Sequence, residues 1–328
     1  MTLTLDLQAR AWPMREPFAI ARGVQTDQPT VIVTLHDAQG RRGRGEGCGV
    51  DYAGETPASM IAQLEALRER IEAGISRGEL ADLLPPGGAR CALDAALWDL
   101  EAKQTGVGAF ARAGIAAPKA VATAYTIGIR DLPAYEATAR AYADYPVLKI
   151  KVGAKDPLSA IEAVRRGAPK PALIVDANQS WSVAQLKALA EHLSTMGVVL
   201  LEQPIPVGAE AGLDGYACPI PLAADELIND RSDLIRAKGR FSVINIKLDK
   251  TGGLTEALAL AEAATAQGFA LMVGCMAGSS LSMAPAMVLA QSCCFVDLDG
   301  PLLQSEDWPD GMTYTTGIVS PPDRSFWG

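Results

Sequence analysis

Eight short apolar segments, evenly spaced from about residue 121 onwards, constrain the fold of this chain more than any other feature. Most are followed by a stretch with helical periodicity, as expected when helices cover a parallel sheet. This alternation predicts a parallel β/α barrel, with a doubly wound open sheet as the rival. The sequence contains no Gly-rich dinucleotide-binding loop to support that rival. The segments are AVATAYTIG, YPVLKIKVG, PALIVDAN, GVVLLEQP, IPLAADE, FSVINIKLD, GFALMVGCM and SCCFVDLDG.

The residues before the barrel show a different order of elements, with strands first and helices afterwards. Residues 3–12 alternate like a strand, and TVIVTLHDAQGRRGRGEGCG predicts two more strands around a turn at Asp37–Gly40. Helical patterns follow at about Thr56–Ile75 and Ala89–Lys103. This order is typical of an α+β domain.

The sequence therefore predicts two domains, and a chain of 328 residues is long enough for two cores. Residues 1–118 would form the α+β domain, and residues 119–303 the barrel. The tail, residues 304–328, shows no eighth helical pattern. It contains MTYTTGIV, which predicts a strand that returns to the first domain.

Charge and hydropathy restrict the partners of the protein. The net charge is −9 and no basic block occurs, which argues against nucleic acid and anionic membranes as partners. The chain has no apolar run of bilayer length, and the start MTLTLDLQARAW lacks the layout of a signal peptide. We therefore expect a cytoplasmic protein that binds small molecules.

The histidines and cysteines offer little catalytic chemistry. His36 falls at the end of an apolar strand and His192 within an amphipathic helix, so histidine-based hydrolase and zinc mechanisms lack their usual residues. The six cysteines show no metal-type spacing and are expected to be small core residues in a reducing compartment. Acid–base chemistry must then depend on Lys, Asp, Glu or Tyr.

Charged residues fall near the C-terminal ends of successive predicted barrel strands. Their spacing of 22 to 26 residues is about one βα unit, which puts them at one height on the face where barrels build active sites. A lone acid at a strand end is more often a helix cap, but three in register between two lysines are a stronger signal. The residues are Lys151, Asp176, Glu202, Asp225 and Lys247, followed on the eighth strand by Asp297 and Asp299.

Asp176, Glu202 and Asp225 are the predicted metal ligands. Three converging carboxylates repel one another unless a cation holds them together. An oxygen-only set without His or Cys selects a hard ion, with Mg²⁺ as the first choice and Mn²⁺ as the alternative. Such an ion stabilises the second negative charge of an enediolate while a base removes the α-proton of a bound carboxylate.

Two lysines alternate with apolar residues in the strand LKIKVG. Because strand side chains have a period of two, Lys149 and Lys151 point into the barrel together. A neighbouring divalent cation would lower the pKa of Lys151 toward neutrality, while Lys149 adds positive charge and contacts the substrate carboxylate. Lys247 lies about four strands away, on the opposite side of the barrel. Lys151 and Lys247 are therefore the predicted bases of a 1,1-proton transfer.

The motifs KIKVG, IVDANQSW, LLEQP, LAADE and NIKLDKTGG resemble successive barrel motifs of the enolase superfamily, muconate-lactonizing-enzyme subgroup. The resemblance covers essentially the whole chain and is strongest to the dipeptide epimerases. It implies an α/β fold with a (β/α)7β TIM-like barrel and an N-terminal α+β capping domain, whose loops close over the barrel mouth. It leaves a symmetric homo-oligomer open as the assembly.

The same resemblance implies roles for substrate-binding residues. Asp297 and Asp299, in FVDLDG, would bind the ammonium of the N-terminal residue of a dipeptide. Arg22, in FAIARG of the first lid loop, would pair bidentately with the side-chain carboxylate of a Glu residue. The remaining implied positions are Thr126 near the substrate, Asn178 beside the metal ligands and a second lid loop at Asp51–Glu55.

We therefore expect Mg²⁺-dependent epimerisation of L-Ala-D/L-Glu type dipeptides at the C-terminal residue, in murein peptide recycling. Three enzymes of the same fold remain alternatives: N-succinylamino acid racemase, o-succinylbenzoate synthase and muconate cycloisomerase. They share the lysines and acids but have no evident use for the Asp297/Asp299 pair. A non-catalytic carboxylate-binding barrel would tolerate loss of the lysines, and all are present. A phosphate site at Gly252 and Gly253 is a weaker hypothesis.

Overall fold

A computed structural model describes residues 2–21 and 23–328 of the chain, except for the side chain of Asp51. The N-terminal region forms an antiparallel sheet in the order β1-β2-β3. Apolar residues alternate along the second strand, and Val31, Val33 and Leu35 are fully buried on one face. The strands are β1 Leu3–Ile20, β2 Gly23–Asp37 and β3 Arg42–Cys48.

Helices cover the buried face of this first sheet, and the longest of them, α4, lies directly on β3. The sequence RGRGEG places a glycine at every second residue of β3, on the face that meets α4. A Cβ at Gly45 would lie 2.1 Å from the carbonyl oxygen of Ala92, so a larger residue requires the helix to move. The helices here are α1 Pro57–Glu65, α2 Arg68–Glu72, α3 Leu80–Leu83, α4 Gly88–Thr105 and α5 Ala109–Arg112.

The helix predicted at Thr56–Ile75 is divided into α1 and α2. The first part begins at a capping box, in which the Thr56 hydroxyl accepts a hydrogen bond from the N–H of Ser59. Leu67 then leaves the helical region, with φ of −107° and ψ of 4°, before α2 begins. The prediction of one continuous helix is wrong. The apolar periodicity continues across Leu67, so the sequence pattern does not reveal the break.

The second sheet contains eight parallel strands in the described residues, one for each predicted apolar segment. Neighbours in sequence are neighbours in the sheet, and the N–H of Ala124 donates to the carbonyl of Val296 at 2.9 Å, which links the first strand to the last. The chain thus has an α/β, TIM-like fold. The strands are β5 Tyr125–Ile127, β6 Val147–Lys151, β7 Ala172–Asp176, β8 Val198–Glu202, β9 Leu222–Ala224, β10 Val243–Lys247, β11 Ala270–Gly274 and β12 Phe295–Val296.

A layer of buried apolar side chains fills the base of this second sheet. The layer consists of Ala124, Ile174, Leu200, Ala223, Val243 and Met272. Asp176, Glu202 and Asp225 each follow a member of the layer by two residues, so their side chains point into the same interior, one level higher. The base layer therefore explains why the three acids face one another.

Helices follow most strands of the second sheet, and several begin at a side-chain cap. Asp131, Asp156 and Ser182 each accept an N–H from the first turn of their helix. The helices are α6 Leu132–Ala141, α7 Pro157–Gly167, α8 Val183–Thr195, α9 Leu234–Ala237, α10 Leu248–Thr251, α11 Leu254–Ala266, α12 Ser280–Ala290 and α13 Gly300–Leu303. Short 3₁₀ helices occur at Asp51–Ala53, Arg77–Glu79, Glu210–Leu213 and Arg231–Asp233. Among the described residues, no helix is both long and apolar enough to cross a bilayer.

The C-terminal tail contacts both parts of the molecule. Its hairpin, β13 Tyr314–Thr315 and β14 Ile318–Val319, pairs antiparallel with β4 Val121–Ala122 at the start of the barrel region. The prediction that MTYTTGIV returns to the first domain is therefore wrong. The last residues make that contact instead, since Trp327 Nε1 donates to the carbonyl of Arg44 at 3.1 Å.

Candidate active site

The strand register gathers the predicted active-site residues at the C-terminal end of the second sheet. Lys151 lies level with Asp176, and Asp176 lies level with Glu202. Lys151 and Lys247, from strands four apart in the sheet order, line one cavity of about 140 Å³. The other predicted residues in its wall are Thr126, Lys149, Asn178, Asp297 and Asp299. The predicted metal ligands Asp176, Glu202 and Asp225 are not part of its lining but pair with its lysines, and Arg22 lies outside the described residues.

Lys149 is almost fully enclosed, with 2% of its side chain exposed. Its Nζ lies 2.7 Å from Asp297 Oδ2, 2.8 Å from Glu202 Oε2 and 3.1 Å from Asp176 Oδ2. Burial alone would lower the pKa of Lys149, but Asp297 and Glu202 outweigh it and hold that pKa well above its ordinary value. Lys149 is therefore a fixed positive charge that offsets the surrounding carboxylates.

The two candidate bases each pair with a predicted metal ligand. Lys151 Nζ lies 2.6 Å from Asp176 Oδ2 and donates to Asn178 Oδ1 at 3.1 Å. Lys247 Nζ lies 2.7 Å from Asp225 Oδ2. Burial would lower the pKa of Lys247, but Asp225 outweighs it and the pKa is raised, opposite to the direction expected beside a divalent cation. A neutral lysine here requires additional positive charge among the carboxylates.

The three carboxylates differ in their titration. Burial would raise the pKa of Asp176 and Asp225, but the neighbouring lysines hold both below their ordinary values. Burial and the negative charge of Asp176 instead raise the pKa of Glu202 to about 8. Glu202 Oε2 is buried and makes no hydrogen bond to the described residues, although Lys149 Nζ lies 2.8 Å away. Among the three predicted ligands, Glu202 therefore has the greatest need of a further cation.

The oxygen-only donor set fits a Mg²⁺ ion. Within the described part of the chain, no three Asp, Glu, His or Cys groups are arranged closely enough to form a ready metal site. The reason is visible in the contacts, since ammonium groups of Lys149, Lys151 and Lys247 lie against the carboxylates. A hard divalent ion held by Asp176, Glu202 and Asp225 would take over this neutralisation and release the lysines. The unpartnered oxygen of Glu202 supports that fit.

Three buried polar residues that the sequence analysis missed support the carboxylates. Asn245 Nδ2 donates to Glu202 Oε1 at 2.9 Å, and Gln203 Oε1 accepts the N–H of Asp225 at 2.9 Å. Lys250 Nζ donates to Asp225 Oδ1 at 2.7 Å. Asn245 precedes Lys247 by two residues, so the strand period could have revealed it. Lys250 lies in α10, which begins directly after β10, so the strand period no longer applies to it.

Asp297 and Asp299 form an acidic pair in the cavity wall, and Asp297 shares the ammonium of Lys149 with Glu202 and Asp176. The N–H of Thr126 donates to Asp299 Oδ2 at 2.6 Å, and its hydroxyl lies 3.4 Å from Asp297 Oδ1. Burial and the charge of Asp297 raise the pKa of Asp299 to about 7. Because burial and Asp297 disfavour the negative charge of Asp299, a cationic ligand group beside Asp299 would stabilise the pair.

Residues of the first sheet form the mouth of the cavity. Phe18, Ile20, Gln25 and Gln28 line it. Phe18 and Ile20 belong to the predicted first lid loop FAIARG and lie at the end of β1, while Gln25 and Gln28 lie on β2. Glu55, at the end of the predicted second lid loop, also lines it and accepts backbone N–H groups from Val50 and Gly88. Both predicted lid regions therefore border the site.

Comparison with known families supports the resemblance. Residues 134–325 match the model of the enolase C-terminal domain-like family, and residues 2–110 match that of the mandelate racemase/muconate lactonizing enzyme N-terminal domain. The chain therefore belongs to the mandelate racemase/muconate lactonizing enzyme family of the enolase superfamily.

Two curated relatives cover most of the chain. It is 42% identical to the L-Ala-D/L-Glu epimerase of Escherichia coli over 316 residues, which are 96% of this chain and 98% of the relative. It is 43% identical to the N-acetyl-D-glutamate racemase of a Pseudoalteromonas species over 252 residues, 76% of this chain and 79% of the relative. Both names describe inversion at the α-carbon of a Glu residue.

Two solved structures resemble the chain throughout. An enolase family member from Agrobacterium tumefaciens with homology to dipeptide epimerases, solved with sodium and L-Ala-L-Glu, has a TM-score of 0.97 and 39% identity, covering 99% of this chain and 100% of that one. A dipeptide epimerase from Methylococcus capsulatus, solved with Mg and L-Arg-D-Lys, has a TM-score of 0.91 and 29% identity, covering 99% and 98%.

Proposed function

We propose that the chain is a Mg²⁺-dependent dipeptide epimerase, an isomerase that inverts the C-terminal residue of L-Ala-D/L-Glu type dipeptides. The observation that carries this proposal is the placement of Lys151 and Lys247 on strands four apart around a single cavity that also contains an acidic pair. The names of the relatives agree with an inverted Glu residue.

In the proposed reaction, the two lysines act on opposite faces of the α-carbon. The neutral amine of one lysine removes the α-proton, and the electron pair of the C–H bond moves toward the substrate carboxylate. The ammonium of the other lysine then donates a proton to the opposite face. Lys149, held 2.7–3.1 Å from three carboxylates, keeps positive charge close to that substrate carboxylate.

Asp176, Glu202 and Asp225 are proposed as the Mg²⁺ ligands. When bound, the ion would neutralise the second negative charge that develops on the substrate carboxylate. Asn178 and Asn245 would orient the ligands, since Asn178 accepts from Lys151 and Asn245 donates to Glu202. The dipeptide epimerase from Methylococcus capsulatus was solved with the same metal.

The two ends of the dipeptide would meet opposite charges. Asp297 and Asp299, with Thr126 beside them, are proposed to bind the N-terminal ammonium. Arg22, in the first lid loop, is proposed to pair with the Glu side chain, and this role depends on the family resemblance. Such an arrangement selects a dipeptide with a free amino group and an acidic C-terminal residue.

We propose that the chain consists of two domains, one that closes over the substrate and one that carries the catalytic residues. Residues 1–118 would be the α+β capping domain, joined by the tail 304–328, and residues 119–303 the (β/α)7β barrel. The contact between Trp327 and Arg44 supports the assignment of the end of the tail to the cap. A cytoplasmic location, a role in murein peptide recycling and a homo-oligomeric assembly remain predictions.

Proton NMR in D₂O tests the proposed function. Purified protein with Mg²⁺ and L-Ala-L-Glu should replace the Glu α-proton with deuterium and produce the L,D diastereomer. Chelation of the metal should stop both processes, and added Mg²⁺ should restore them. Mg²⁺ should also raise the unfolding temperature of the wild type but not that of Glu202→Gln, a readout independent of activity.

A second candidate function is racemisation of an N-acylated amino acid, which the similarity to N-acetyl-D-glutamate racemase favours. N-acetyl-L-Glu in the same NMR assay separates the two functions, because it lacks the ammonium that Asp297 and Asp299 would bind. Faster exchange of N-acetyl-L-Glu than of L-Ala-L-Glu would favour this second candidate. Silence of both substrates would instead support a non-catalytic barrel or one of the other reactions of this fold.

A further inference from the structure

A second cavity adjoins the substrate cavity. It has a volume of about 410 Å³ and is bordered by β1, β5 and α6. Phe18, Thr126 and Leu303 line both cavities. These three residues, called the partition below, therefore stand between the substrate cavity and the second cavity.

The partition is packed in place. Phe18 and Leu303 are only 9% and 8% exposed. Next to Phe18, the carbonyl of Ala19 accepts the N–H of Ile129 at 2.7 Å. This hydrogen bond joins the end of β1 to the residues that follow β5. A Cβ at Gly128 would lie 3.2 Å from Cδ2 of Phe18, so the ring lies close against that backbone. The partition is therefore a fixed wall.

The second cavity suits an apolar or aromatic group. The rings of Tyr125 and Tyr142 stack in its lining, with centroids 3.6 Å apart and an interplanar angle of 18°. Ala141 adds a small apolar surface. Two charged residues also line it, and both have partners: Glu16 is engaged at 2.7 Å by Arg130, and Arg15 Nε donates to the carbonyl of Leu302 at 3.0 Å. Stacked aromatic rings favour large apolar partners.

The partition also touches the proposed ammonium site. Thr126, one of its three members, donates its N–H to Asp299 Oδ2 at 2.6 Å and has its hydroxyl 3.4 Å from Asp297 Oδ1. An ammonium bound to these aspartates would place the N-terminal residue of the dipeptide directly beside Phe18 and Leu303. The side chain of that residue would then meet the wall.

We propose that Phe18 and Leu303 restrict the N-terminal residue of the substrate to a small side chain, and that the second cavity accepts a large apolar one when either residue is truncated. This inference depends on the proposed dipeptide epimerase function. Phe18 and Leu303 are specificity-determining residues in this scheme, because they border the substrate without contacting the reacting α-carbon.

Epimerisation rates for three dipeptides, L-Ala-L-Glu, L-Leu-L-Glu and L-Phe-L-Glu, test the proposal. In the wild type, kcat/KM should fall by about 100-fold or more from Ala to Phe at the N-terminal position. Phe18→Ala and Leu303→Ala should each raise the ratio of L-Phe-L-Glu to L-Ala-L-Glu by about 10-fold to 100-fold. Phe18→Leu, a smaller truncation with less effect on folding, should shift the ratio in the same direction.

A matched truncation next to Leu303 is the control. Within the described chain, Leu302 lines neither cavity. Leu302→Ala should leave the Phe-to-Ala ratio within about threefold of the wild-type ratio.

The outcomes separate the two hypotheses. Unchanged ratios in all partition variants, with an active wild type, would overturn the inference alone. A wild type that already processes L-Phe-L-Glu as well as L-Ala-L-Glu would also overturn it. A wild type that exchanges the α-proton of none of the dipeptides would overturn the proposed function and, with it, this inference.

Discussion

At the scale of single residues, Lys151 and Lys247 lie within 2.6–2.7 Å of separate carboxylates but face one cavity. We expect Lys151→Ala and Lys247→Ala each to lower the rate of epimerisation by about 1000-fold, because a lost general acid or base removes about 10²- to 10⁴-fold. Each variant should still exchange the α-proton of one diastereomer, namely the one whose α-proton points toward the remaining lysine. NMR in D₂O with the L,L and L,D dipeptides in separate samples measures this.

Lys155→Ala is the control for the lysine variants, since Lys155 is exposed after β6. Its epimerisation rate should match that of the wild type. Substantial epimerisation by both active-site variants would contradict the two-base scheme, and loss of exchange with both diastereomers in both variants would indicate that the site no longer folds.

Asp297 should control the preference for a free amino terminus. Asp297→Asn removes the charge of a carboxylate that lies beside Thr126, so KM for L-Ala-L-Glu should rise by about 10-fold or more. The KM for N-acetyl-L-Glu, which has no ammonium, should change much less. Steady-state kinetics with both substrates provides the comparison, and equal weakening of the two would show that Asp297 binds no ammonium.

The convergence of the candidate site residues was largely predictable from sequence, for a simple geometric reason. Lys151, Asp176 and Glu202 lie at equivalent positions of neighbouring strands, so spacing alone brought them together. The contacts of Lys149 with Asp297 were not predictable, because they join the second and eighth strands of the sheet. Carboxylates surround Lys149 and Lys247 and outweigh burial, so the pKa values of these two lysines are raised.

At the scale of elements, Glu46 joins β3 to the start of α12. It is fully buried and accepts the N–H of Ser279 at 2.8 Å and its hydroxyl at 2.6 Å. Burial raises the pKa of Glu46 to about 7. Because the unfolded chain ionises Glu46 near pH 4.3, the folded state binds an additional proton between about pH 4.3 and 7.

This raised pKa predicts a loss of stability as pH increases. Protonation of Glu46 contributes fully below about pH 4.3, and its contribution of about 3 kcal/mol is lost as pH rises toward 7. Glu46→Gln stays neutral and lacks this pH dependence, so the unfolding free energy of the wild type should fall relative to that of the variant by about 3 kcal/mol over that range. Urea unfolding at several pH values measures this change, and a pH-independent difference would mean that the pKa of Glu46 is the same in the folded and unfolded states.

Elements with a clear hydrophobic period were predicted better than breaks within helices and the pairing partners of short strands. All eight barrel strands occur where apolar segments predicted them, whereas Thr56–Ile75 divides at Leu67. The tail hairpin pairs with Val121–Ala122. The sequence did not predict this partner, because strands of two residues carry too little pattern to specify one.

At the scale of the whole molecule, the last residues of the chain hold the first sheet, α4 and the tail together. Trp327 is 1% exposed and its Nε1 donates to the carbonyls of Arg44 and Ala95. Trp327→Ala should lower the free energy of unfolding by about 3–5 kcal/mol, because it leaves a large cavity and unpaired carbonyls. Denaturant unfolding measures this loss.

A truncation in the same tail is the control for Trp327→Ala. Ile318 is 39% exposed, so Ile318→Ala should change the unfolding free energy by only about 0.5–1 kcal/mol. Equal effects of the two substitutions would show that the end of the tail carries no special share of the stability.

For protein engineering, the glycines of β3 define which parts of related enzymes can be exchanged. Gly43, Gly45 and Gly47 let α4 lie so close to β3 that a Cβ at any of these positions would clash with the backbone of the helix. The first N–H of α4, at Gly88, in turn binds Glu55 of the second lid region. A chimera that takes a new second lid from a relative should therefore import β3, that lid and α4 as one cassette, from about residue 42 to residue 105.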